Sequence, residues 1–429
     1  MNDELMTNSE KTNVLLLGNG GREHAIAWKL AQSPNLDKLF IAPGNAGTAG
    51  VGTNVQLSLD DPAKLLEYAK SQSIGLTVVG PEAPLALGVV NMFRHAGLAI
   101  FGPTKEAAML ETSKAYAKEV MVASGVPTAN YQVFTDYETA EDAISDWDFP
   151  LVIKVDGLAA GKGVIICESK ADTLITLKEI FIDQKFGGAG QKVLIEEFLI
   201  GQEISAFSFV DGENISPIIG ATDYKRAFDG DAGPNTGGMG SYSPPKVWNK
   251  DIENTIIENV FEPVIDYMNS SGNPYTGVLY AGLIVTSDGI KVLEFNCRFG
   301  DPETQVLLPR LETDLLSVMQ HTATSGITEI DIEWDPRPCV GLVVASGGYP
   351  GSYNVGKNIY GLDRTDDLVN VFHAGTSLSD DGILTSGGRV LAVTAKSDSF
   401  ANARELIYKN VEQIEFEGMF FRKDIATNL

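Results

Sequence analysis

The sequence predicts a multidomain α/β protein. Its first domain is a doubly wound parallel sheet, followed by a β-rich central part and a small α+β C-terminal domain. Strand-like apolar runs alternate with helical patterns over residues 13–112, as in a parallel sheet with helices on both faces. Beyond Pro127 the pattern changes to β-rich runs joined by glycine loops. A chain of 429 residues is also too long for one hydrophobic core.

Composition excludes several classes of protein. The net charge of −25 argues against nonspecific nucleic-acid binding, and no apolar run is long enough to span a membrane. The three cysteines lie far apart without zinc spacing, so we expect reduced thiols and a cytoplasmic protein. Residues 1–12 are polar and lack the apolar core of a signal peptide, which predicts a disordered extension.

Three glycine turns are predicted at one edge of the first sheet. The strand Val14–Leu17 is followed by the turn Gly18–Gly21 and by Ile26 and Leu30 at helical spacing. The turns "APGNAG" and "GPEAP" follow later strands. Parallel sheets bind ligands at this edge, and amides at a helix N-terminus suit a phosphate or carboxylate. The alternative is a set of tight turns without a ligand.

The first turn only partly matches a dinucleotide-binding fingerprint. In "GNGGREHA" the third glycine of G-x-G-x-x-G is replaced by Glu23. The second strand ends in "APGNAG", where an acidic residue for the ribose is expected. An NAD-dependent enzyme is therefore disfavoured.

The segment "DGLAAGKGV" is interpreted as the tip of a β-hairpin and not as a P-loop. Gly157 and Gly161 are too close in sequence, and Gly163 stands where Ser or Thr should bind Mg²⁺. The loop also joins two β-rich runs, Leu151–Val155 and Val164–Cys167, instead of opening a helix. Its amides and lysine can still cover a phosphate, although a hairpin tip without a ligand is the alternative.

The segment "VLEFNCRFGDPE" predicts a metal site. Glu294 and Asn296 are two apart on a strand, so both point to one face. Their oxygens suit Mg²⁺, and Arg298 continues the alternation. A cation beside a metal pair suits phosphoryl transfer, whereas the alternative is a surface strand with an ion pair. The preceding segment 223–245 is rich in Gly, Asp and Pro, which predicts a long irregular loop.

Charged residues elsewhere allow two interpretations. Lys154 lies within an apolar strand and needs a partner, which an anionic ligand would supply. Lys114 fits an exposed helical face as well as a ligand site. The acids of "IEEFLIGQE" fit a solvated surface as well as a binding site. The four histidines form no metal-binding pattern.

Together these stretches resemble one family. They are "GNGGREHA", "APGNAG", "VGPEAPL", "IKVDGLAAGKGV", "IEEFL", "GPNTGGMG", "LYAGL", "EFNCRFGDPETQ", "GGYPG" and "FRKDI". The chain from about Asn13 to Ile425 resembles the phosphoribosylamine–glycine ligase family of the ATP-grasp superfamily.

The resemblance implies an α/β N-terminal domain (13–112), an ATP-grasp unit of two α+β parts (113–330, with a mobile lid at 124–200) and a C-terminal α+β domain (331–429). It implies that ATP, glycine and 5-phosphoribosylamine give glycinamide ribonucleotide, ADP and phosphate, an early step of purine (IMP) biosynthesis. The superfamily reaction passes through an acyl phosphate. A Mg²⁺ or Mn²⁺ ion, small-molecule substrates and a monomer are expected.

The resemblance also implies roles for individual residues. The ATP-binding set is Lys114, Lys154, Asp156, Gly157, Gly161, Lys162, Gly163, Glu196, Glu197, Leu199 and Glu203. Within it, Glu196 resembles the adenine partner and Glu203 the acid on the ATP ribose. The metal ligands are Glu294 and Asn296, and the catalytic residues facing the phosphoryl group and glycine carboxylate are Lys225 and Arg298. The substrate-binding set is Gly20, Gly21, Glu82 and Asp223.

The sequence departs from the family at two places. Tyr224 stands where the family often has His, so no catalytic role is assigned to it. The strand "LYAGLIV" lacks the additional metal-binding acid of many ATP-grasp enzymes. The alternatives are another ATP-grasp carboxylate–amine ligase, a bicarbonate-activating relative, an NAD dehydrogenase and a nonenzymatic nucleotide-binding module.

Overall fold

The computed structural model describes residues 11–159, 163–427 and 429. Most of the predicted extension 1–12 lies outside this range. Thr12, which was assigned to the extension, is instead the first residue of a strand, because it pairs with Leu36. Among the described residues, no helix combines the length and apolarity that crossing a membrane requires.

The first domain is the predicted parallel sheet. Its strands are β1 Thr12–Gly18, β2 Leu36–Pro43, β3 Thr53–Asn54, β4 Leu76–Val79 and β5 Ile100–Phe101. Its helices are α1 Gly21–Leu30, α2 Pro62–Ser71, α3 Glu82–Ala86 and α4 Val89–His95. The strand order β3-β2-β1-β4-β5 is that of a doubly wound fold. This order brings the three glycine turns to one edge, as predicted.

A small antiparallel sheet follows. Its strands are β6 Tyr131–Phe134, β7 Leu151–Val155, β8 Val164–Cys167 and β9 Val193–Glu197, in the order β6-β9-β7-β8. Helices α5 Met109–Thr112 and α6 Lys114–Ser124 precede this sheet in the chain, and α7 Tyr137–Ala143 and α8 Lys170–Phe181 pack against it. The β7–β8 hairpin confirms the sequence prediction. Apolar residues of β7, β9 and α8 form its own core.

A large antiparallel sheet joins the centre of the chain to its C-terminal part. Its strands are β10 Gln202–Asp211, β11 Ile219–Asp223, β14 Gly240–Ser243, β15 Thr276–Thr286, β16 Gly289–Asn296, β17 Cys339–Ser346, β18 Asn370–His373, β21 Arg389–Lys396 and β22 Met419–Phe420. The main order is β16-β15-β10-β11-β14-β17-β21-β18, with β22 beside β17. Because β14 pairs with β17, the strands β17, β18, β21 and β22 of the predicted C-terminal domain continue this sheet.

Further elements complete the chain. The helices are α9 Lys250–Ile256, α10 Glu262–Ser270, α11 Thr304–Leu307, α12 Leu315–Gln320 and α13 Phe400–Val411. Two hairpins are β12 Arg226–Phe228 with β13 Ala232–Asn235, and β19 Thr376–Ser379 with β20 Gly382–Thr385. The prediction that 223–245 is irregular is therefore wrong in part. Strands β12 and β13 are short, and all four residues of β13 are exposed, so this hairpin lacks the apolar alternation that marks a strand.

Candidate active site

Two neighbouring pockets meet at Glu294, which lines both. The first pocket is lined by Lys114, Lys118, Lys154 and Glu196 together with apolar side chains. The second is lined by polar groups from the large sheet: Glu203, Ser205, Asp223, Lys225 and Tyr280. Predicted ATP-binding, metal and catalytic residues thus converge on one region, although they are up to 180 positions apart in the chain.

Glu294 lies on β16 among three lysines. Its carboxylate pairs with Lys114 Nζ, at the start of α6, at 3.1 Å. Burial opposes ionisation, but Lys114, Lys154 and Lys225 together lower the pKa of Glu294 to about 2. The side chain is 36% exposed. The site therefore presents an ionised carboxylate to both pockets at neutral pH.

Glu196, on β9, is 2% exposed and lies between two lysines. One carboxylate oxygen accepts from Lys154 Nζ at 2.9 Å and from Lys118 Nζ at 3.0 Å. The sequence suggested an anionic ligand as the partner of Lys154. Because β7 and β9 are adjacent in the sheet, a protein carboxylate already pairs with this lysine. The other oxygen, Oε1, is buried without a hydrogen-bond partner in the protein.

The sequence interpretation missed Lys118. Its side chain is 2% exposed, donates to Thr128 Oγ1 at 2.7 Å and lies 5.4 Å from the ring centroid of Tyr131. Burial lowers its pKa to about 8, although Glu196 opposes this change. Lys118 is four residues after Lys114, so both lie on one face of α6. That spacing was a usable signal in the sequence.

The second pocket contains an ion pair between Lys225 and Glu203. Asp223 lies at the end of β11 beside them. Burial raises the pKa of Asp223 to about 7; Lys225 opposes this rise, whereas Glu303 and Glu203 add to it. This carboxyl group is therefore protonated more easily than an ordinary aspartate.

Arg298 connects the metal strand to the first domain. Its guanidinium contacts Glu82 at 3.1 Å and Glu111 at 2.7 Å, and donates to Asn296 Oδ1 at 3.2 Å. Glu82 begins α3, directly after the glycine turn that follows β4. Although burial opposes it, the pairing with Glu111 and Glu82 raises the pKa of Arg298 above its usual value. The turn that leads to Glu82 and the strand that carries Asn296 therefore share one cation.

The first glycine turn differs from its prediction. The Gly20 N–H, predicted to face a substrate, is donated to Glu23 Oε2 at 2.6 Å. A Cβ on Gly18, whose φ is +129°, would lie 2.3 Å from Glu23 Cγ. The Glu23 side chain thus folds over the turn and carries negative charge where a dinucleotide places its pyrophosphate. Gly21, the first residue of α1, packs against Gln305 of α11.

The lid residues have mainly structural contacts. The Asp156 carboxylate accepts from Ala115 N at 2.7 Å and Ser113 Oγ at 3.0 Å, at the start of α6. Gly157 donates to Ala189 O at 3.3 Å, and Gly163 O accepts from Val155 N. The predicted contacts of Gly161 and Lys162 lie outside the described residues.

Two further predicted ATP contacts lie at the end of β9 and directly after it. The Glu197 carboxylate accepts from Asn130 N at 3.0 Å and Lys291 Nζ at 3.1 Å. Leu199 is half-buried in the link between β9 and β10. Their backbone groups therefore lie close to Glu196.

The metal pair stands opposite a strand without acids. Glu294 is opposite Gly282, and Asn296 is opposite Tyr280. Tyr280 donates instead to the buried carboxylate of Glu303 at 2.8 Å, a contact not predicted from the sequence. Within 11–159, 163–427 and 429, no cluster of three His, Cys, Asp or Glu residues could hold a metal ion.

Comparison with known proteins covers almost the entire chain. Three family models match it: "Phosphoribosylglycinamide synthetase, N domain" over residues 12–111, its ATP-grasp (A) domain over 112–304, and its C domain over 339–428. A phosphoribosylamine–glycine ligase of Halalkalibacterium halodurans is 46% identical, over 97% of this chain and 96% of the relative. One of Vibrio parahaemolyticus is 49% identical, over 96% and 97%.

Solved structures agree with this result. A crystal structure of a phosphoribosylamine–glycine ligase from Thermotoga maritima has a TM-score of 0.85 and 35% identity, over 96% of this chain and all of that chain. A biotin carboxylase domain of Hydrogenobacter thermophilus, in complex with MgADP, has a TM-score of 0.72 over 95% of this chain and 91% of that chain. At 14% identity, the latter shows a shared fold only.

Proposed function

The chain belongs to the phosphoribosylglycinamide synthetase family, and we propose from this premise how its two pockets carry out the reaction. The protein is an ATP-dependent phosphoribosylamine–glycine ligase that forms glycinamide ribonucleotide in purine biosynthesis. One observation carries this proposal. The pocket of Lys114, Lys154 and Glu196 meets the pocket of Asp223 and Lys225 at Glu294.

We place ATP in the first pocket. The orphan Oε1 of Glu196 is a buried acceptor that suits the exocyclic amine of adenine. Lys114 and Lys154 would exchange part of their pairing with carboxylates for the phosphates. Glu203 remains the proposed ribose contact, and the β7–β8 hairpin the proposed lid, which excludes water from the reacting groups.

We place glycine in the second pocket. Burial raises the pKa of Asp223, and a glycine ammonium group beside it would lower that pKa and pair with the carboxylate. Lys225 and Arg298 supply cations for the carboxylate and the transferred phosphoryl group. The first-domain edge near Glu82 and Gly21 would hold phosphoribosylamine, so the amine enters from the side of Arg298.

We infer that the reaction has two steps. A glycine carboxylate oxygen attacks the γ-phosphorus of ATP, ADP leaves, and glycyl phosphate forms. The amine of phosphoribosylamine then attacks the acyl carbon, phosphate leaves, and the amine nitrogen loses a proton. Phosphate is a far better leaving group than oxide, so the first step activates the carboxylate for the second.

Glu294 and Asn296 would hold Mg²⁺ or Mn²⁺. They offer a permanently ionised carboxylate and an amide oxygen, and Mg²⁺ is commonly held by one or two protein oxygens with phosphates and water as further ligands. When bound, the ion would neutralise charge on the ATP phosphates.

The three buried, free cysteines fit a reducing compartment. A cytoplasmic location and a monomer remain our expectations.

ADP release tests this proposal. It is measured with ATP and Mg²⁺, and with glycine and phosphoribosylamine added singly and together. We expect stoichiometric ADP release with both substrates. Ribose 5-phosphate in place of phosphoribosylamine is the control that lacks the attacking amine. Release without glycine, or with bicarbonate alone, would contradict the proposal.

Oxygen labelling tests the acyl phosphate. With glycine labelled with ¹⁸O in its carboxylate, the released phosphate should carry one labelled oxygen, because the C–O bond of glycyl phosphate breaks in the second step. Unlabelled phosphate would show that the carboxylate is never phosphorylated.

A further inference from the structure

The C-terminal run "FRKDI" (Phe421–Ile425) contacts the segment that carries Lys225. Asp223 and Lys225 both line the second pocket. Tyr224, between them, projects to the opposite face, where it packs against the apolar core of the C-terminal part. The segment is therefore held from behind by residues far away in sequence.

Tyr224 is fixed by both its backbone and its side chain. Its N–H donates to Gly240 O at 2.9 Å, and its carbonyl accepts from Met239 N at 2.8 Å. Its hydroxyl accepts from Ala426 N at 2.9 Å, and the guanidinium of Arg422 lies 4.9 Å from its ring centroid. The residue that replaces the family's usual His thus touches the C-terminal segment directly.

Arg422 is the centre of these contacts. Its side chain is 1% exposed. It donates to both carboxylate oxygens of Asp424, at 2.7 and 2.6 Å, which is the bidentate geometry that arginine favours. It also donates to Asp231 Oδ1 at 2.8 Å and to Arg226 O at 3.1 Å. Both latter acceptors belong to the β12–β13 hairpin and its turn.

The hairpin connects Arg422 to Lys225. The hairpin begins at Arg226, directly after Lys225, and the residue that follows it, Thr236, donates to Lys225 O at 2.8 Å. At its turn, Gly230 N donates to Asp424 Oδ2 at 2.8 Å. Lys225 thus lies at the base of a hairpin whose turn is held by the C-terminal run.

We propose that Arg422 is a positioning residue for Lys225, acting through the β12–β13 hairpin and the face of Tyr224. This inference rests on the proposed function, which places Lys225 at the transferred phosphoryl group. Most of the proposed ATP contacts, Lys114, Lys154 and Glu196 among them, line the other pocket, so we expect Arg422 to affect the catalytic step more than the binding of ATP. The C-terminal run is therefore part of the machinery for phosphoryl transfer.

Kinetics of Arg422 variants test the proposal. Arg422→Met should lower kcat about tenfold and leave the KM for ATP within about twofold, since small displacements of a catalytic group have effects of this size or larger. Arg422→Lys keeps the charge but loses the bidentate contact with Asp424. Its kcat should therefore lie between those of Arg422→Met and the wild type. Lys409→Met is the matched control, because Lys409 pairs with Asp366 in the same part of the chain and away from the hairpin.

A double-mutant cycle separates positioning from general destabilisation. If Arg422 acts through Lys225, Arg422→Lys and Arg422→Met should have no further effect on kcat in a Lys225→Met protein. Equal losses in both backgrounds, or wild-type kcat in both Arg422 variants, would overturn the inference. Arg422→Lys keeps the test decisive if Arg422→Met does not fold. Full activity of Lys225→Met alone would instead refute the proposed role of Lys225.

Discussion

Glu294 is the residue on which both pockets depend. Glu294→Gln keeps the shape of the side chain and removes its charge. We expect turnover to fall by about 10²-fold or more, because one of the two proposed metal ligands and the countercharge of three lysines are lost. ADP release measured across a Mg²⁺ titration checks this. Asp288→Asn, in the exposed turn of the same β15–β16 hairpin, should leave the titration unchanged. Wild-type turnover of Glu294→Gln would remove Glu294 from the metal site.

We expect Lys118 to affect ATP binding through Glu196, with which it forms a buried ion pair. Lys118→Met leaves Lys154 as the sole ion-pair partner of Glu196, so the carboxylate is less firmly held. We expect ATP affinity to fall by about tenfold, roughly 1.4 kcal/mol. The melting temperature should also fall, because the buried carboxylate of Glu196 loses one of its two compensating cations.

Calorimetric titration with ATP measures the effect of Lys118→Met. Lys64→Met, at an exposed ion pair of the first domain, is the control. Unchanged ATP affinity in Lys118→Met would show that Glu196 does not depend on Lys118. The sequence offered the spacing of Lys114 and Lys118, but burial distinguished this lysine from a solvated one.

At the scale of elements, the loop "GPNTGGMG" is held against the turn that follows β16. Gly238 has a φ of +108°, and a Cβ there would lie 2.4 Å from Pro302 Cδ. Gly238→Ala combines backbone strain with this clash. We expect a fall in kcat of about tenfold or more, since the loop must move away from the site.

A second glycine provides the control for Gly238→Ala. Gly272 also has a positive φ, +79°, but a Cβ there meets no atom within 4 Å. Gly272→Ala should therefore lower stability slightly and leave kcat unchanged. Equal kinetics of the two alanine variants would show that packing on Pro302 is unimportant for the reaction.

Elements with regular apolar patterns were predictable from the sequence. The β7–β8 hairpin and the strands of the first domain follow it closely, because buried strands need apolar side chains at most positions. The β12–β13 hairpin was missed. Three of its residues are glycine, proline or asparagine, and its position depends on contacts with Arg422, which lies almost 200 residues away.

At the scale of the whole molecule, two histidines join the first domain to the C-terminal part. His24 Nδ1 accepts from His373 N at 2.7 Å. Burial, with an added effect of His373, lowers the pKa of His24 to about 3, and burial lowers that of His373 to about 4. Both pKa values lie below the ordinary histidine value of 6.5, so both side chains are neutral in the folded protein at neutral pH.

This interface predicts sensitivity to acid. A folded-state pKa below the unfolded value stabilises the protein above about pH 6.5, and this stabilisation is lost as the pH falls toward 3 or 4. We expect each histidine to contribute on the order of 2 kcal/mol of destabilisation between pH 7 and 5. His24→Asn keeps an acceptor that does not titrate, so its melting temperature should fall less over this range than that of the wild type.

Thermal denaturation at several pH values checks the role of His24. His95→Asn, at the exposed end of α4, should keep the wild-type dependence. Parallel curves for His24→Asn and the wild type would contradict the prediction.

The sequence by itself determined the family, the doubly wound first domain and most of the residues that meet at Glu294. The fold class and the face shared by Glu294 and Asn296 follow from local composition and spacing, whereas the roles expected for the other site residues follow from the resemblance to the family. Only the tertiary structure decided which charges are paired. Glu196 between Lys118 and Lys154, and Arg422 behind Tyr224, both join segments brought together by packing. A buried charge is tolerated only beside a partner of opposite charge. Which side chains are buried together is decided by the folded chain and not by local sequence.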